Sequence, residues 1–289
     1  MIPKLNTFRI PGFVLSMAFA LLAGMPFPPC AVQGGGPGVP LYPDMFPYVD
    51  ENAPSDMRTL QDWRLNGSTL SYKSMFANQG AGYFEIRRGP DIDSEFYTLQ
   101  QRIYLDADLG SEFTDIAIGA APIPGSPGNP STHIPASHNE QSNLIWFENF
   151  TKFSLHEAPV VDGALTVGAE VAGAVKASWR LSNNRGPLPG YSTPSVNGDQ
   201  STHQRIAVGW ADMYVSGPGQ SFDISGVPAG PRYWLRQTVD PLNRIEESDE
   251  TNNSFEILID LNKPGEAVMF AGQFVRPGDP PPTATGDLN

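Results

Sequence analysis

Cysteine is almost missing from this sequence, because Cys30 is the single one among 289 residues. One cysteine cannot form an internal disulfide, so no disulfide framework is available to hold the fold. Cys30 follows the apolar segment 12–25, which is too short for the ~20 residues of a membrane-spanning helix and is preceded by Lys4 and Arg9. This pattern is typical of a secretory signal peptide. We therefore assign residues 1–33 to a signal peptide and expect a secreted protein, extracellular or periplasmic, whose mature chain depends on core burial alone.

Positive charge is also scarce. The chain has 18 Lys and Arg against 31 Asp and Glu, which gives a formal net charge of −13. Such an acidic chain is repelled by phosphate backbones, so the composition excludes a nucleic acid as partner. The same charge would suit a cationic, lysine-rich extracellular protein, although many secreted proteins are acidic for solubility alone. The sequence gives no indication of a membrane partner beyond the signal peptide, and nothing in it sets the oligomeric state.

A long amphipathic helical pattern is the third absence, since no segment keeps a 3.6-residue period. Short alternating segments recur instead, separated by turns rich in the 29 glycines and 29 prolines. They predict a mainly β fold, an antiparallel β-sandwich over residues 41–262, with a flexible leader at 34–40 and a disordered tail at 263–289. The Asn78–Gly82 link between two of these segments suits a turn with positive φ angles. The predicted strands are 69–76, 82–88, 101–105, 113–118 (forming a hairpin with the preceding strand), 145–155, 174–181, 206–214, 232–239 and 254–260.

Several segments in the second half of the chain resemble the lysyl oxidase family. They are Lys176-Ala-Ser-Trp-Arg-Leu181, Val208-Gly-Trp-Ala-Asp-Met-Tyr214, Asp223-Ile-Ser-Gly-Val-Pro-Ala-Gly230 and the stretch 233–253. Members of this family are extracellular amine oxidases that depend on copper and a quinone. The resemblance covers roughly residues 41–261 and includes 78–82 and 101–104. Because the chain is poor in cysteine, it is similar to the microbial members rather than to the disulfide-rich animal enzymes.

The resemblance implies three catalytic residues. In the family, copper(II) and oxygen oxidise a tyrosine ring to a quinone, and a lysine amine adds to it to give lysyl tyrosylquinone. Lys176 and Tyr214 occupy the places of these two precursors, and Asp212 occupies that of an aspartate able to act as general base. Residues i and i+2 share one face of a strand, so Asp212 and Tyr214 are expected to point into the same cleft. Without the resemblance, a lysine in a strand is usually solvated and a tyrosine beside Trp210 usually belongs to the core.

The copper motif of the family is missing. In the family, the pattern His-x-His-x-His places three imidazoles on one face of a strand, where they chelate copper. Here the same segment contains no imidazole and no soft ligand: it reads Ser142, Asn143, Leu144, Ile145 and Trp146. The four histidines lie elsewhere, and two of them, His133 and His138, are close enough upstream to act as displaced ligands with His156 or His203. We expect no metal site and no working cofactor, where the family has copper and lysyl tyrosylquinone.

These observations lead to three hypotheses. The first is a secreted lysyl oxidase-like protein whose copper amine oxidase centre has degenerated, a pseudoenzyme retained as a binding or structural module. The second is an active protein-lysine 6-oxidase-type enzyme with a non-standard copper site, converting primary amines to aldehyde with hydrogen peroxide. The third is an acidic extracellular adhesion or matrix module that merely shares the sandwich. The first two require Lys176 and Tyr214 to lie close in space near Asp212, with the segment 142–146 lining the same cavity.

Overall fold

The computed structural model describes residues 38–48, 59–60, 62–105, 112–123, 145–178, 181–198, 202–215, 219–230 and 232–264. Within these ranges the chain forms sixteen strands and no helix, which confirms the prediction of a mainly β fold. Accordingly, none of the described segments is a helix able to cross a membrane. The predicted signal peptide at residues 1–33 lies outside the described residues, and so do the predicted leader at 34–40 and tail at 263–289 apart from residues 38–40 and 263–264.

The strands follow the alternation of the sequence, and four of the nine predicted strands are longer than the sequence pattern predicted. Their bounds are β1 (Met45–Pro47), β2 (Arg64–Asn66), β3 (Thr69–Ser71), β4 (Ser74–Asn78), β5 (Phe84–Asp91), β6 (Phe96–Tyr104), β7 (Phe113–Pro122), β8 (Phe147–Glu157), β9 (Val160–Val161), β10 (Ala164–Leu165), β11 (Glu170–Ser178), β12 (His203–Ile206), β13 (Trp210–Tyr214), β14 (Ser221–Asp223), β15 (Arg232–Val239) and β16 (Ser254–Asp260).

Two four-stranded sheets form the main layers, in the orders β11-β8-β15-β16 and β12-β5-β6-β7. Smaller sheets have the orders β1-β4-β13, β14-β3-β2 and β10-β9. Every paired strand in them is antiparallel, as the sandwich prediction requires. The predicted hairpin of 101–105 with 113–118 is confirmed by the pairing of β6 with β7.

Two buried apolar clusters fill the space between the sheets, and β8 contributes to both. The first core includes Phe147 and Phe150 near the start of β8, together with side chains from β4, β5, β6, β7 and β12. The second core includes Phe153 and Leu155 further along β8, packed against β15 and β16. Burial of these aromatic side chains stabilises the fold by about 2 kcal/mol each, so a chain with a single cysteine has an adequate core.

Two of the predicted strands are each divided between sheets. Segment 69–76 becomes β3 and β4, and segment 206–214 becomes β12 and β13. The second break lies at Gly209, whose φ of 74° is in the left-handed region that favours glycine. A Cβ there would also collide with the ring of Tyr191. The alternating pattern predicted extended chain correctly, but it did not reveal a corner that sends the chain from one sheet to the next.

The predicted positive φ angles in the Asn78–Gly82 link are wrong. Neither Gly80 nor Gly82 has a φ in the positive region. Glycine is required at both positions for another reason. A Cβ on Gly82 would overlap the carbonyl oxygen of Leu41, and a Cβ on Gly80 would overlap the backbone of Pro43. The link therefore passes directly against the chain that leads into β1, and this close approach fixes β4 beside β1.

Candidate active site

Lys176 lies near the end of β11, on the inner face of its sheet. The alternation of a strand is visible here, because Val175 is 57% exposed whereas Lys176 is only 6% exposed. Its partner on β8 is Thr151, which is fully buried. The register between the two strands then slips, so that Ser178 pairs with Phe147, and Asn149 in the slipped segment has a φ of 55°. A bulge of this kind re-aims neighbouring side chains, and here it adjoins the lysine.

Asp212 and Tyr214 lie on β13, which is covered on both faces. Trp210 and Tyr214 pack against the first core, and Ala211 and Met213 pack in a separate cluster on the other face. Asp212 therefore shares the face of Tyr214, as the two-residue repeat of a strand predicts. Its carboxyl group is almost completely buried, with 1% exposure, and it accepts a hydrogen bond from the Tyr214 side chain.

The structure brings the lysine and the tyrosine into direct contact. The Lys176 Nζ atom lies 2.9 Å from the centroid of the Tyr214 ring, well inside the ~6 Å range of a cation–π interaction. The Tyr214 ring also packs against Phe76, with 5.8 Å between ring centroids. The prediction that Lys176, Tyr214 and Asp212 lie close together is thus confirmed as geometry, whereas their chemical roles stay predictions.

The two ionisable neighbours of Tyr214 have strongly altered proton affinities. Burial lowers the pKa of Lys176 to about 7, an effect that the charge of Asp212 only partly opposes. Burial likewise raises the pKa of Asp212 to about 7, against hydrogen bonds from Tyr214, Ser182 and Asn184 and the charge of Lys176. The pKa values of the two groups therefore both lie near neutral pH, where a neutral amine is accessible next to the phenol ring. A neutral amine is the form that can attack an electrophile.

A strap of residues 181–185 fastens the two strands of the site together. It follows β11 in the chain and lies along β13, where the backbones of Arg185 and Ala211 exchange two hydrogen bonds. The Asn184 side chain continues this pairing: its Oδ1 accepts from the Met213 N–H at 2.8 Å, and its Nδ2 donates to the Met213 carbonyl at 3.1 Å. The same Nδ2 donates to Asp212 Oδ1 at 2.5 Å. Sequence reasoning missed Asn184, because one asparagine in a polar loop gives no signal of its own.

The comparison with protein families matches the part of the chain that holds the three site residues. Residues 134–269 match the model of the lysyl oxidase family, a range that contains Lys176, Asp212 and Tyr214. Over these residues the chain is similar to a lysyl oxidase domain. No curated protein matches the chain. The resemblance of 78–82 and 101–104 to the family lies outside the matched range and stays a prediction.

Lysyl oxidases use copper, so copper ligands such as imidazoles are expected near Tyr214. Of the five candidate ligand positions, Ile145 and Trp146 are described. Ile145 is 1% exposed and belongs to the first core, against which Tyr214 also packs. Trp146 is half-buried, and its backbone N–H donates to the Tyr97 hydroxyl at 3.1 Å. Hydrocarbon and indole groups do not bind copper(II), so these two positions do not fit the metal.

The described histidines do not replace the missing ligands. His156 lies five residues along β8 from Thr151, which is roughly 17 Å at the rise of a strand. Its ring is also engaged by Ser154 Oγ at 2.9 Å and by the Gly168 carbonyl at 3.1 Å. His203 begins β12, in the other large sheet. Over the described residues, no three His, Cys, Asp or Glu side chains are grouped so as to hold a metal ion. His133, His138 and positions 142–144 lie outside that part of the chain.

Proposed function

We propose that this protein is a secreted lysyl oxidase-like protein whose copper amine oxidase centre has degenerated, and that it serves as a binding or structural module. The observation that carries this proposal is the apolar packing of Ile145 beside the core that holds Tyr214. With alternate ligand positions, either register of the motif includes Ile145 or Trp146, and neither side chain binds copper(II). Where Ile145 is the ligand position, its burial favours a closed core, because it stabilises the fold by about 2 kcal/mol. A metal ion at this position would have to displace that packing.

A second candidate is an active amine oxidase that obtains its copper ligands from elsewhere in the chain. The contact between Lys176 and Tyr214 favours it, because cofactor formation in the family joins a lysine to a tyrosine. The buried position of the lysine favours it as well. Burying an amine and a carboxylate is costly, and a purely structural module has no need of either.

Cofactor formation separates the two candidates directly. Purified mature protein supplied with copper(II) and oxygen is expected to develop no quinone absorption and to release no peroxide from primary amines. The control is Tyr214→Phe, which lacks the ring hydroxyl and keeps the ring. A redox-cycling quinone stain that is positive in the native protein and negative in Tyr214→Phe would overturn the degenerate-enzyme proposal in favour of the second candidate.

A reconstruction tests the reason for the loss. The variant Ser142→His, Leu144→His and Trp146→His restores alternate imidazoles to the segment. If the missing ligands are the only defect, this triple variant gains quinone absorption when copper(II) and oxygen are added, and adding Tyr214→Phe to it removes the signal. Copper binding without any quinone would show that the site has lost more than its ligands.

The proposed binding role has a test of its own. The net charge of −13 favours a cationic, lysine-rich extracellular protein as partner. A lysine-rich protein is expected to bind at low ionic strength and to be released as salt screens the attraction. The Tyr214→Phe variant should bind equally well, because the role does not depend on the quinone precursor. Equal binding of a neutral protein would show that charge does not select the partner.

A further inference from the structure

Asn184 occupies an unusual position, because its side chain is exposed to solvent and yet bonds to a carboxylate that is almost fully buried. It makes three hydrogen bonds to β13: two with the Met213 backbone and one to Asp212. We propose that Asn184 is a positioning residue, which fixes the Asp212 carboxylate against Tyr214 and Lys176 and holds it as a hydrogen-bond acceptor.

The geometry leaves little freedom to the asparagine. With its Oδ1 held by the Met213 N–H, the amide cannot flip, and its Nδ2 must face the carbonyl of Met213 and the carboxylate of Asp212. The other Asp212 oxygen accepts the Ser182 backbone N–H at 3.3 Å. The 181–185 strap therefore supplies one donor to each carboxylate oxygen, and both donors favour the ionised form.

The Asp212 carboxylate interacts with a charged group and with a phenol. Lys176 supplies a positive charge from β11, and Tyr214 supplies a hydrogen bond from the same strand as Asp212. The charge of Asp212 in turn raises the pKa of Lys176, against the effect of burial. A change at Asn184 is therefore transmitted first to Asp212 and then to the lysine amine.

Two roles for Asn184 predict opposite titration shifts. If Asn184 positions Asp212 and favours its ionised form, loss of Asn184 raises the pKa of Asp212. Lys176 then loses a negative neighbour, and the pKa of Lys176 falls. If Asn184 only seals the site, its loss admits water, and both groups move back towards their ordinary values. In that case the pKa of Asp212 falls and that of Lys176 rises. The signs alone distinguish the roles.

The chain offers a matched control for this test. Asn197 is also exposed and also fastens the strap, because its Oδ1 accepts the Asn183 N–H at 2.9 Å. It binds the strap at Asn183, whereas Asn184 binds the Asp212 carboxylate. Asn184→Ala and Asn197→Ala therefore each remove one surface asparagine that fastens the same strap, and only the first removes a donor to Asp212.

The experiment is a carbon-detected NMR titration of full-length mature protein. It follows the Asp212 carboxyl carbon and the Lys176 ε-carbon, which are assigned with Asp212→Asn and Lys176→Met. Asn184→Ala is expected to lower the ratio of ionised to protonated Asp212 at pH 7 about tenfold, since it removes a hydrogen bond to a charged group. The Lys176 midpoint should move down, and Asn197→Ala should leave both midpoints in place.

Two results would overturn the inference: unchanged midpoints in a folded Asn184→Ala protein, or shifts of both groups towards their ordinary values. The inference rests on the proposed site only through the identity of its three side chains. The titration requires no copper and no quinone, so its outcome does not depend on whether the quinone stain is positive or negative. Failure of the function and failure of the inference are thereby distinguishable.

Discussion

Glu85 and Asp212 are both buried carboxylates that accept a tyrosine hydrogen bond and face a cation, yet their pKa values move in opposite directions. Glu85 is fully buried and accepts from Tyr104 Oη at 2.6 Å, from Arg205 Nε at 2.6 Å and from Arg87 Nη1 at 2.5 Å. Burial by itself would raise the pKa of Glu85, but the tyrosine and the two arginines outweigh it and lower the pKa. This group is a fixed anion.

Asp212 has a weaker set of partners. It faces one lysine, whose own amine is so desolvated that its pKa falls to about 7. A lysine can release its proton when buried, whereas an arginine keeps its charge, so the lysine does not pin Asp212 in the ionised state. The difference teaches that burial alone does not set the pKa of a carboxylate. The identity of the neighbouring cation decides whether the group stays ionised or has a pKa near neutral pH.

The largest expected effect comes from breaking the fixed ion cluster. Glu85→Gln leaves Arg205 and Arg87 without their buried anion and is expected to lower the free energy of unfolding by about 3–5 kcal/mol, as measured by urea denaturation. Since the folded pKa of Glu85 is lowered, its contribution is present above the ordinary glutamate pKa and is lost only as pH falls through the folded value. The deficit of the variant should therefore be constant from pH 6 to 8.

The control for that variant is Glu170→Gln, which removes the partner of Lys152 on the surface. That pair is about one-third exposed on both sides, so the loss should stay below ~1 kcal/mol. Equal losses in the two variants would contradict the view that burial makes the Glu85 cluster different.

The Lys176–Asp212 pair should instead produce a pH-dependent effect. The folded pKa of Asp212 is raised from 3.8 to about 7, so the folded state binds an extra proton in that window and stability falls as pH rises. The folded pKa of Lys176 is lowered from 10.5 to about 7, so the unfolded state binds the extra proton above pH 7 and stability rises again. The pair should therefore stabilise the folded protein least near pH 7. Its contribution to the free energy of unfolding should be roughly 3 kcal/mol lower there than at pH 4.

This dependence is measured as the difference in unfolding free energy between the native protein and the double variant Asp212→Asn with Lys176→Met. The double variant removes both titrating groups, so the difference should trace a valley centred near pH 7. A flat difference would mean that water reaches the pair and that the two groups titrate normally.

The smallest expected effect is the difference in the free energy of unfolding between the Tyr→Phe variants of the two tyrosines. Tyr104→Phe removes a hydroxyl that donates to Glu85 and also accepts from Arg205 Nη2 at 3.0 Å, and a loss of about 2 kcal/mol is expected. Tyr214→Phe removes a donor to a carboxylate that is partly protonated at pH 7, so about 1 kcal/mol is expected. Thermal or chemical unfolding of the two variants at pH 7 measures the difference. A larger loss in Tyr214→Phe would reverse the comparison.

The sequence was a good guide to extended chain and to the position of the site residues. Period-2 alternation predicted nearly all the long strands, and the i, i+2 spacing placed Asp212 and Tyr214 on one face. It was a poor guide to corners, as the division of segment 206–214 at Gly209 shows. It also gave the wrong reason for Gly82. A sequence does not distinguish a glycine needed for close approach of another backbone segment from one needed for a left-handed turn.

By itself, the sequence determined the family resemblance, the mainly β character and the lack of imidazoles in the segment 142–146, because these depend only on residue types and their spacing. Tertiary structure decided the rest. Lys176 and Tyr214 are 38 residues apart in the chain, and only the fold brings the amine against the ring. Their pKa values follow from burial between two sheets, which is a property of the whole packing and of no local motif.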